Sequence, residues 1–284
     1  MSKPSTTISR IPEGLRTWFR KSRLFVRHQS ENENVFHCTV HKSASQWIRG
    51  IASDERMYRY SGLVSYQYTQ EMPGGFDPRK ITERSFDKPF PSRTFVTPLY
   101  IDYANFKKIP KPRKYKAFFL MRDPRDLLIS WYFSVKYSHT LLGDLGKIRQ
   151  ELGRLDIEDG LLYGIEYLEY HGIFKAQRSW ADSPTKDPNV MLVKYEKLIA
   201  PGNAVLFRQV LNHCDIPIPE NQLNDLLKSY SFENLSGRKR GQEDQKAHYR
   251  KGVDGDWRNY FTSKIQDRFM EASGDLLSVW QYED

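Results

Sequence analysis

The sequence predicts an α/β protein: three layers, α/β/α, with a central parallel sheet. Two patterns lead there. Apolar runs rich in β-forming residues stand at Val35–Val40, Lys116–Met121 and Val190–Tyr195. They are nearly continuous rather than alternating, as strands covered on both faces are. Stretches with helical spacing separate them, and strands alternating with helices argue for a parallel sheet. With 284 residues and 39% hydrophobic content, the chain can bury one large core.

Composition narrows the partners. A net charge of +9 favours a polyanion, a membrane surface or a phosphorylated small molecule. The lysines and arginines are dispersed rather than gathered in one tract, which argues against nucleic acid. The two cysteines, Cys38 and Cys214, suit neither a metal site nor a disulfide framework, so a reducing, cytoplasmic setting is expected. No apolar run approaches the roughly 18 residues of a membrane span, and the N-terminus lacks a signal-peptide core. Residues 1–33 read as a basic extension. Within it Ile11, Leu15, Trp18 and Phe19 recur at helical spacing among Arg16, Arg20, Lys21 and Arg23. An amphipathic helix packed on the domain is one reading, and contact with a membrane surface is another. Residues 34–284 form the single domain, and the sequence leaves its oligomeric state open.

Taken in order, Val35–Val40 is a buried strand, followed at once by His41, Lys42, Ser43, Ala44 and Ser45. Gln46, Trp47, Ile48 and Ile51 then have the spacing of one helix face. A strand, a turn of small residues and a helix make an anion site, because the first helical N–H groups have no internal partner and the dipole favours negative charge. Lys42 adds a full charge, and Ser43 and Ser45 add hydroxyl donors. The plainer alternative is a serine-capped helix with Lys42 in solvent. Residues 54–92 are irregular and aromatic, broken by Pro73-Gly74-Gly75 and Pro89-Phe90-Pro91, and suit a loop wall around a pocket. Arg93–Thr97 reads as a second strand that stops at Pro98.

The third strand, Lys116–Met121, runs into a helix with Asp123 as N-cap and Pro124 at its first position. Arg122 then sits at the carboxyl end of a strand, where open α/β sheets bind ligands. Ser130 follows two turns into that helix. Residues 141–180 read as helical, with Leu161, Leu162, Ile165, Leu168 and Phe174 on the apolar face. Val190–Tyr195 is the next strand, and Ala204–Leu211 and Asn221–Leu227 are helices on either side of Ile216-Pro217-Ile218-Pro219. Residues 231–262 are polar and glycine-punctuated. A loop that long inside a compact domain is functional or disordered. Arg250-Lys251-Gly252 sets two cations beside a residue whose backbone can approach an anion closely.

These pieces together resemble the sulfotransferases that use 3′-phosphoadenosine-5′-phosphosulfate (PAPS). Lys42-Ser43-Ala44-Ser45-Gln46-Trp47 is similar to the family's 5′-phosphosulfate loop, usually Lys-Ser-Gly-Thr-Thr-Trp. Arg122 and Ser130 resemble its 3′-phosphate pair. Arg250-Lys251-Gly252, followed by Gly255-Asp256-Trp257 and Asn259-Tyr260-Phe261-Thr262, resembles its C-terminal phosphate loop. The resemblance spans roughly residues 34–275. It implies a P-loop NTPase-like sulfotransferase fold and transfer of a sulfuryl group from PAPS to a hydroxyl or amine, with 3′,5′-adenosine bisphosphate as product. It further implies adenine contacts at Trp47, Tyr195, Ser231 and Phe232, and no metal, since Lys42 can neutralise the charge growing on the leaving phosphate.

Two departures qualify the resemblance. Ala44 and Gln46 replace a glycine and a threonine, yet both still offer backbone N–H groups. The histidine that cytosolic members carry just after the second strand is absent, since Thr97 is followed by Pro98. His41, beside Lys42, is the expected base, with Asp102, His139 and Glu71 as alternatives. His41 as a mere orienting group is the competing reading. The acceptor is expected to be a small hydroxylated molecule, a glycan or a lipid headgroup. A non-catalytic nucleotide- or nucleic-acid-binding protein is the rival function. An ATP- or GTP-dependent P-loop enzyme fits poorly, because Val40–Trp47 contains no glycine.

Overall fold

The structure, a computed structural model, describes residues 26–282. The N-terminal helix expected around Ile11, Leu15, Trp18 and Phe19 lies outside the described residues. Five strands form one parallel sheet: β1 (Asn34–Thr39), β2 (Val64–Tyr66), β3 (Thr94–Tyr100), β4 (Tyr115–Met121) and β5 (Val190–Lys194). Their spatial order is β2-β3-β1-β4-β5. The helices in chain order are α1 (Ser45–Ala52), α2 (Glu55–Arg59), α3 (Tyr103–Lys108), α4 (Pro124–Phe133), α5 (Leu145–Arg154), α6 (Ile157–Tyr170), α7 (Ile173–Ser179), α8 (Ser183–Lys186), α9 (Tyr195–Ile199), α10 (Ala204–His213), α11 (Glu220–Ser229), α12 (Phe232–Ser236), α13 (Ser263–Ser273) and α14 (Leu276–Val279).

Strand pleating divides the core into two layers, since successive side chains point to opposite faces. Phe36 and Cys38 of β1, with Ala117, Phe119 and Met121 of β4, meet Leu127, Leu128 and Trp131 of α4 and Leu161, Ile165 and Leu168 of α6. Val35, Phe118 and Leu120 point the other way, onto Ile48 and Ile51 of α1, Phe207, Val210 and Leu211 of α10, and Leu223 and Leu226 of α11. The sandwich expected from continuous apolar strands is the one that forms. Residues 26–33 lie against this body: Ser30 donates to the Cys214 carbonyl, and Arg27 N–H to the Arg59 carbonyl.

Two local expectations change. The strand beginning near Arg93 runs through Pro98 to Tyr100. Its pairing with β1 slips there, from Phe36 opposite Val96 to Cys38 opposite Leu99. The extra residue makes a bulge, where a proline without an N–H is tolerated. The stretch 54–92 also holds α2 and the edge strand β2. Three strand residues are too few to show a period. Among the described residues, no helix is long and apolar enough to cross a membrane.

Helix α6 approaches α4 through two glycines. A Cβ at Gly160 would stand 2.5 Å from the Tyr132 ring, and one at Gly164 would stand 2.8 Å from Leu128. Alanine inside a helix normally gains about 1 kcal/mol over glycine. Here Gly160→Ala is expected to destabilise by about 1–3 kcal/mol through overpacking against a buried tyrosine. A higher melting temperature in this variant would contradict the described packing of α4 on α6.

Candidate active site

A cleft of about 1780 Å³ opens at the carboxyl ends of the strands. Its position follows from topology. From β1 the chain leaves toward β2 and β3, while from β4 it leaves toward β5. The neighbouring loops after β1 and β4 therefore diverge, and ligands bind in such a crevice.

The loop after β1 supplies the first wall. Lys42 and Ala44 both adopt the left-handed conformation, with φ of 66° and 58°. This costs a non-glycine residue about 1–2 kcal/mol. No side chain caps α1, so its first N–H groups are left to face the cleft. His41, Lys42, Ala44, Ser45, Gln46 and Trp47 all line it. Ser43 does not: its side chain is buried, and its hydroxyl has no hydrogen-bond partner among the described residues. Ser45 accepts a hydrogen bond from the Tyr100 hydroxyl at 2.8 Å. Burial, then the charge of Arg122, pushes the Lys42 ammonium down to about 8.

The loop after β4 supplies the second. Arg122 donates from Nη1 to the Lys42 carbonyl at 2.9 Å, and its guanidinium stands 4.8 Å over the Tyr195 ring. Its Nε is buried without a partner among the described residues. Ser130, on α4, lines the same cleft. Asp123 caps α4 by accepting from the Arg125 N–H, as expected.

An aromatic pair lies farther along. Trp47 is held by its Nε1–H, 2.7 Å from the Tyr230 carbonyl, and packs edge-on against Phe207. Ser231 caps α12 by accepting from the Asn234 N–H. Gly252 has φ of 70°, and a Cβ there would stand 2.4 Å from the Phe232 ring. Only glycine lets this loop cross so close to the phenyl group. Tyr195, Ser231, Phe232, Arg250, Lys251 and Gly252 all line the cleft.

The C-terminal loop is organised by two carboxylates that motif matching alone does not explain. Asp126, on α4, accepts the Gly255 N–H at 2.6 Å and the Trp257 N–H at 3.0 Å. Asp256 then pairs with Arg250 and, at 2.6 Å, with Lys251, while accepting from Asn259. Arg250 also pairs with Glu243 and lies 4.5 Å over the Phe133 ring. Burial pushes the Asp256 carboxyl up, but hydrogen bonds from Lys251 and Arg250 hold it on balance below the usual range.

The expected bases separate in space. Asp102 caps α3, accepting from the Asn105 N–H at 2.8 Å, and does not line the cleft. Glu71 does not line it either. His41 does, tilted on the Tyr100 ring at 4.1 Å, with its Nε2 3.4 Å from Arg84 Nη2. Burial, then the cationic charge of Arg84, sets its pKa well below the ordinary histidine value. His139, His171 and His248 also border the cleft. The loop at 67–84 forms one wall, as the aromatic stretch suggested, and it contributes Arg84, which the sequence did not single out. Arg84 is anchored by Asp77 and by the Tyr100 and Arg79 carbonyls. Among the described residues, no group of three or more His, Cys, Asp or Glu could hold a metal ion.

Residues 32–281 match the family model of the sulfotransferase domain. Human sulfotransferase 2A1 is 24% identical over 261 residues, covering 86% of this chain and 81% of that protein. A flavonol sulfotransferase-like protein of Flaveria bidentis is 22% identical over 268 residues, 88% of this chain and 83% of its own. Among solved structures, mouse sulfotransferase SULT7A1 complexed with PAP superposes with a TM-score of 0.60 at 17% identity, over 92% of this chain and 93% of that one. Retinol dehydratase with androsterone and inactive cofactor PAP gives 0.53 at 15% identity, over 92% and 85%. At these identities the likeness is one of fold.

Asp256 yields a test of the C-terminal loop. Asp256→Asn is expected to lower stability at neutral pH by about 1–3 kcal/mol, because two cations lose their shared partner. A carboxyl held below its unfolded value stabilises above that value and loses the contribution as pH falls through the folded one. The difference in melting temperature between the two proteins should therefore close below about pH 4. A pH-independent difference would contradict an ionic clamp.

Proposed function

The chain belongs to the sulfotransferase domain family, and on that premise we propose that it transfers the sulfuryl group of PAPS to a hydroxyl or amine of a small molecule. The product would be 3′,5′-adenosine bisphosphate. One observation carries the reading: a single cleft gathers Lys42, Arg122, Ser130, Arg250 and Lys251 around a flanking pair of aromatic rings, Trp47 and Phe232. The donor is a small polyanion with charge at two ends and a flat base between them.

The residues fit such a molecule. The uncapped start of α1 and Lys42 suit a phosphosulfate. The Nε of Arg122, without a partner among the described residues, supplies a buried donor beside a place for the 3′-phosphate, where Ser130, Arg250 and Lys251 add charge-assisted bonds. Phe232, pressed against Gly252, and Trp47, held by the Tyr230 carbonyl, would sandwich the adenine. Lys42 is the electrostatic catalyst in this account, neutralising the charge that develops on the departing phosphate.

For the acceptor, a small hydroxylated molecule is favoured over a glycan or lipid headgroup. Tyr100, Trp131, Tyr163 and Tyr167 give the cleft beyond Lys42 aromatic walls. Support also comes from the relative named for flavonols and from the neighbouring fold that holds androsterone. Both free cysteines are buried, which suits a cytoplasmic setting.

Transfer of labelled sulfate from PAPS to a panel of phenols, hydroxysteroids and sulfatable amines tests the proposal. Lys42→Ala is expected to lower kcat by about 10²-fold or more. Because free Lys42 titrates near 8 and must carry its charge, kcat/KM for the donor should fall as pH rises through about 8. Lys42→Arg keeps its charge and should abolish that fall. Tight bisphosphate binding without transfer to any acceptor would favour a nucleotide-binding protein instead.

A further inference from the structure

Sulfuryl transfer to a hydroxyl needs a group to take the acceptor proton, and at the place of the family's histidine this chain has Pro98, in the bulge of β3. Four of the seven histidines border the cleft: His41, His139, His171 and His248. Their hydrogen bonds tell them apart.

A guanidinium can only donate. His41 Nε2, facing Arg84 Nη2 at 3.4 Å, must therefore accept, which places the His41 proton on Nδ1 and commits its lone pair to Arg84. His139 is the reverse. Its Nδ1 stands 2.8 Å from the Thr140 carbonyl oxygen, which can only accept. The proton is thus on Nδ1, and the Nε2 lone pair remains for a substrate. His171 packs on the Tyr167 ring at 4.2 Å, among Lys80, Arg84 and Glu83 rather than beside Lys42. His248 is exposed on the polar loop, and among the described residues no hydrogen bond fixes its ring.

The backbone carrying His139 is also tied down. Beyond Phe133, α4 widens into a π-helical turn, Ser134–Ser138, and the His139 N–H closes it onto the Ser134 carbonyl at 2.7 Å. Such turns occur often at functional sites. Arg149 of α5 clasps the turn from outside, donating to the Val135 carbonyl at 2.7 Å and the His139 carbonyl at 2.5 Å. One continuous helical segment therefore carries Ser130 and ends at His139.

We propose that His139 is the general base, taking the acceptor proton on Nε2; the assignment rests on the sulfuryl-transfer reading above. As the acceptor oxygen bonds to sulfur, its proton passes to His139 Nε2. The bond from sulfur to the 5′-phosphate oxygen breaks, and its electron pair leaves with the bisphosphate beside Lys42. The charged groups acting on His139 are Lys42 and Arg149, and the rings of His41 and His248 lie within its field. Burial first, and then Lys42, lowers its pKa against the opposing Thr140 hydrogen bond. The ascending limb of the rate profile should thus lie below the ordinary histidine value of about 6.5.

The test measures PAPS turnover against pH and bisphosphate affinity in the full-length chain, for wild type, His139→Gln and His41→Gln. His139→Gln is expected to lose about 10²–10⁴-fold in kcat, lose the ascending limb, and keep its bisphosphate Kd within about threefold. His41→Gln should keep the limb. Ring ¹⁵N shifts of His139, measured without acceptor, should show the Nδ1–H tautomer with an unprotonated Nε2. Retention of the limb in His139→Gln, its loss in His41→Gln alone, or the opposite His139 tautomer would each overturn the assignment while leaving sulfuryl transfer intact. A wild type that binds no bisphosphate would overturn the underlying reading, and this assignment with it.

Discussion

The hydrogen bond from Arg122 to the Lys42 carbonyl joins two loops that the sheet sends apart. β1 and β4 are neighbours, but their chains depart in opposite directions, so nothing in the sheet itself fixes the distance between the loops that follow them. The 2.9 Å contact does. Burial, and after it the charge of Arg122, lowers the Lys42 ammonium to about 8. A buried cation with a like charge in its field is relieved by an anion beside it.

A second constraint fixes the far end. The C-terminal loop has almost no regular structure, yet Asp126 anchors it to α4 by two backbone N–H groups, and Asp256 gathers Arg250 and Lys251. The helix that carries Ser130 therefore positions the loop cations as well. Gly252 lets that loop lie on Phe232, so the phenyl ring and the cations Arg250 and Lys251 belong to one packed unit. Between the two ends runs α4, whose first turn follows Arg122 directly and whose π-helical extension leads to His139.

The fold was legible because burial on both sheet faces leaves a strong trace: the runs at 35–40, 116–121 and 190–195 become β1, β4 and β5, short only of Val40 and of Tyr195, which opens α9, and the helices between them follow their apolar spacing. What escaped was short or irregular. β2 has three residues, and β3 passes Pro98 only because a bulge absorbs it. In the site, Lys42, Arg122, Ser130, Phe232 and Gly252 all line one cleft, the first three from the strand-to-helix connections that their motif spacing predicts. Ser43 turns into the core, and Asp102 is spent on capping α3. Both are chemically plausible residues whose direction depends on packing that no spacing reveals. The placement of Arg84 rests on contacts with Tyr100 and Asp77 across the fold, and that of His139, offered by the sequence as one candidate base among several, on its contact with Arg149.

In the reading proposed above, the cations around Arg122 recognise a phosphate on the 3′ position. Calorimetric titration with 3′,5′-adenosine bisphosphate and with AMP, which lacks that group, measures it directly. Two or more buried charge-assisted hydrogen bonds predict a preference on the order of 3 kcal/mol, about 10²-fold, for the bisphosphate. Arg122→Ala should erase most of it without changing the melting temperature greatly. Equal affinity of the wild type for the two nucleotides would contradict the account.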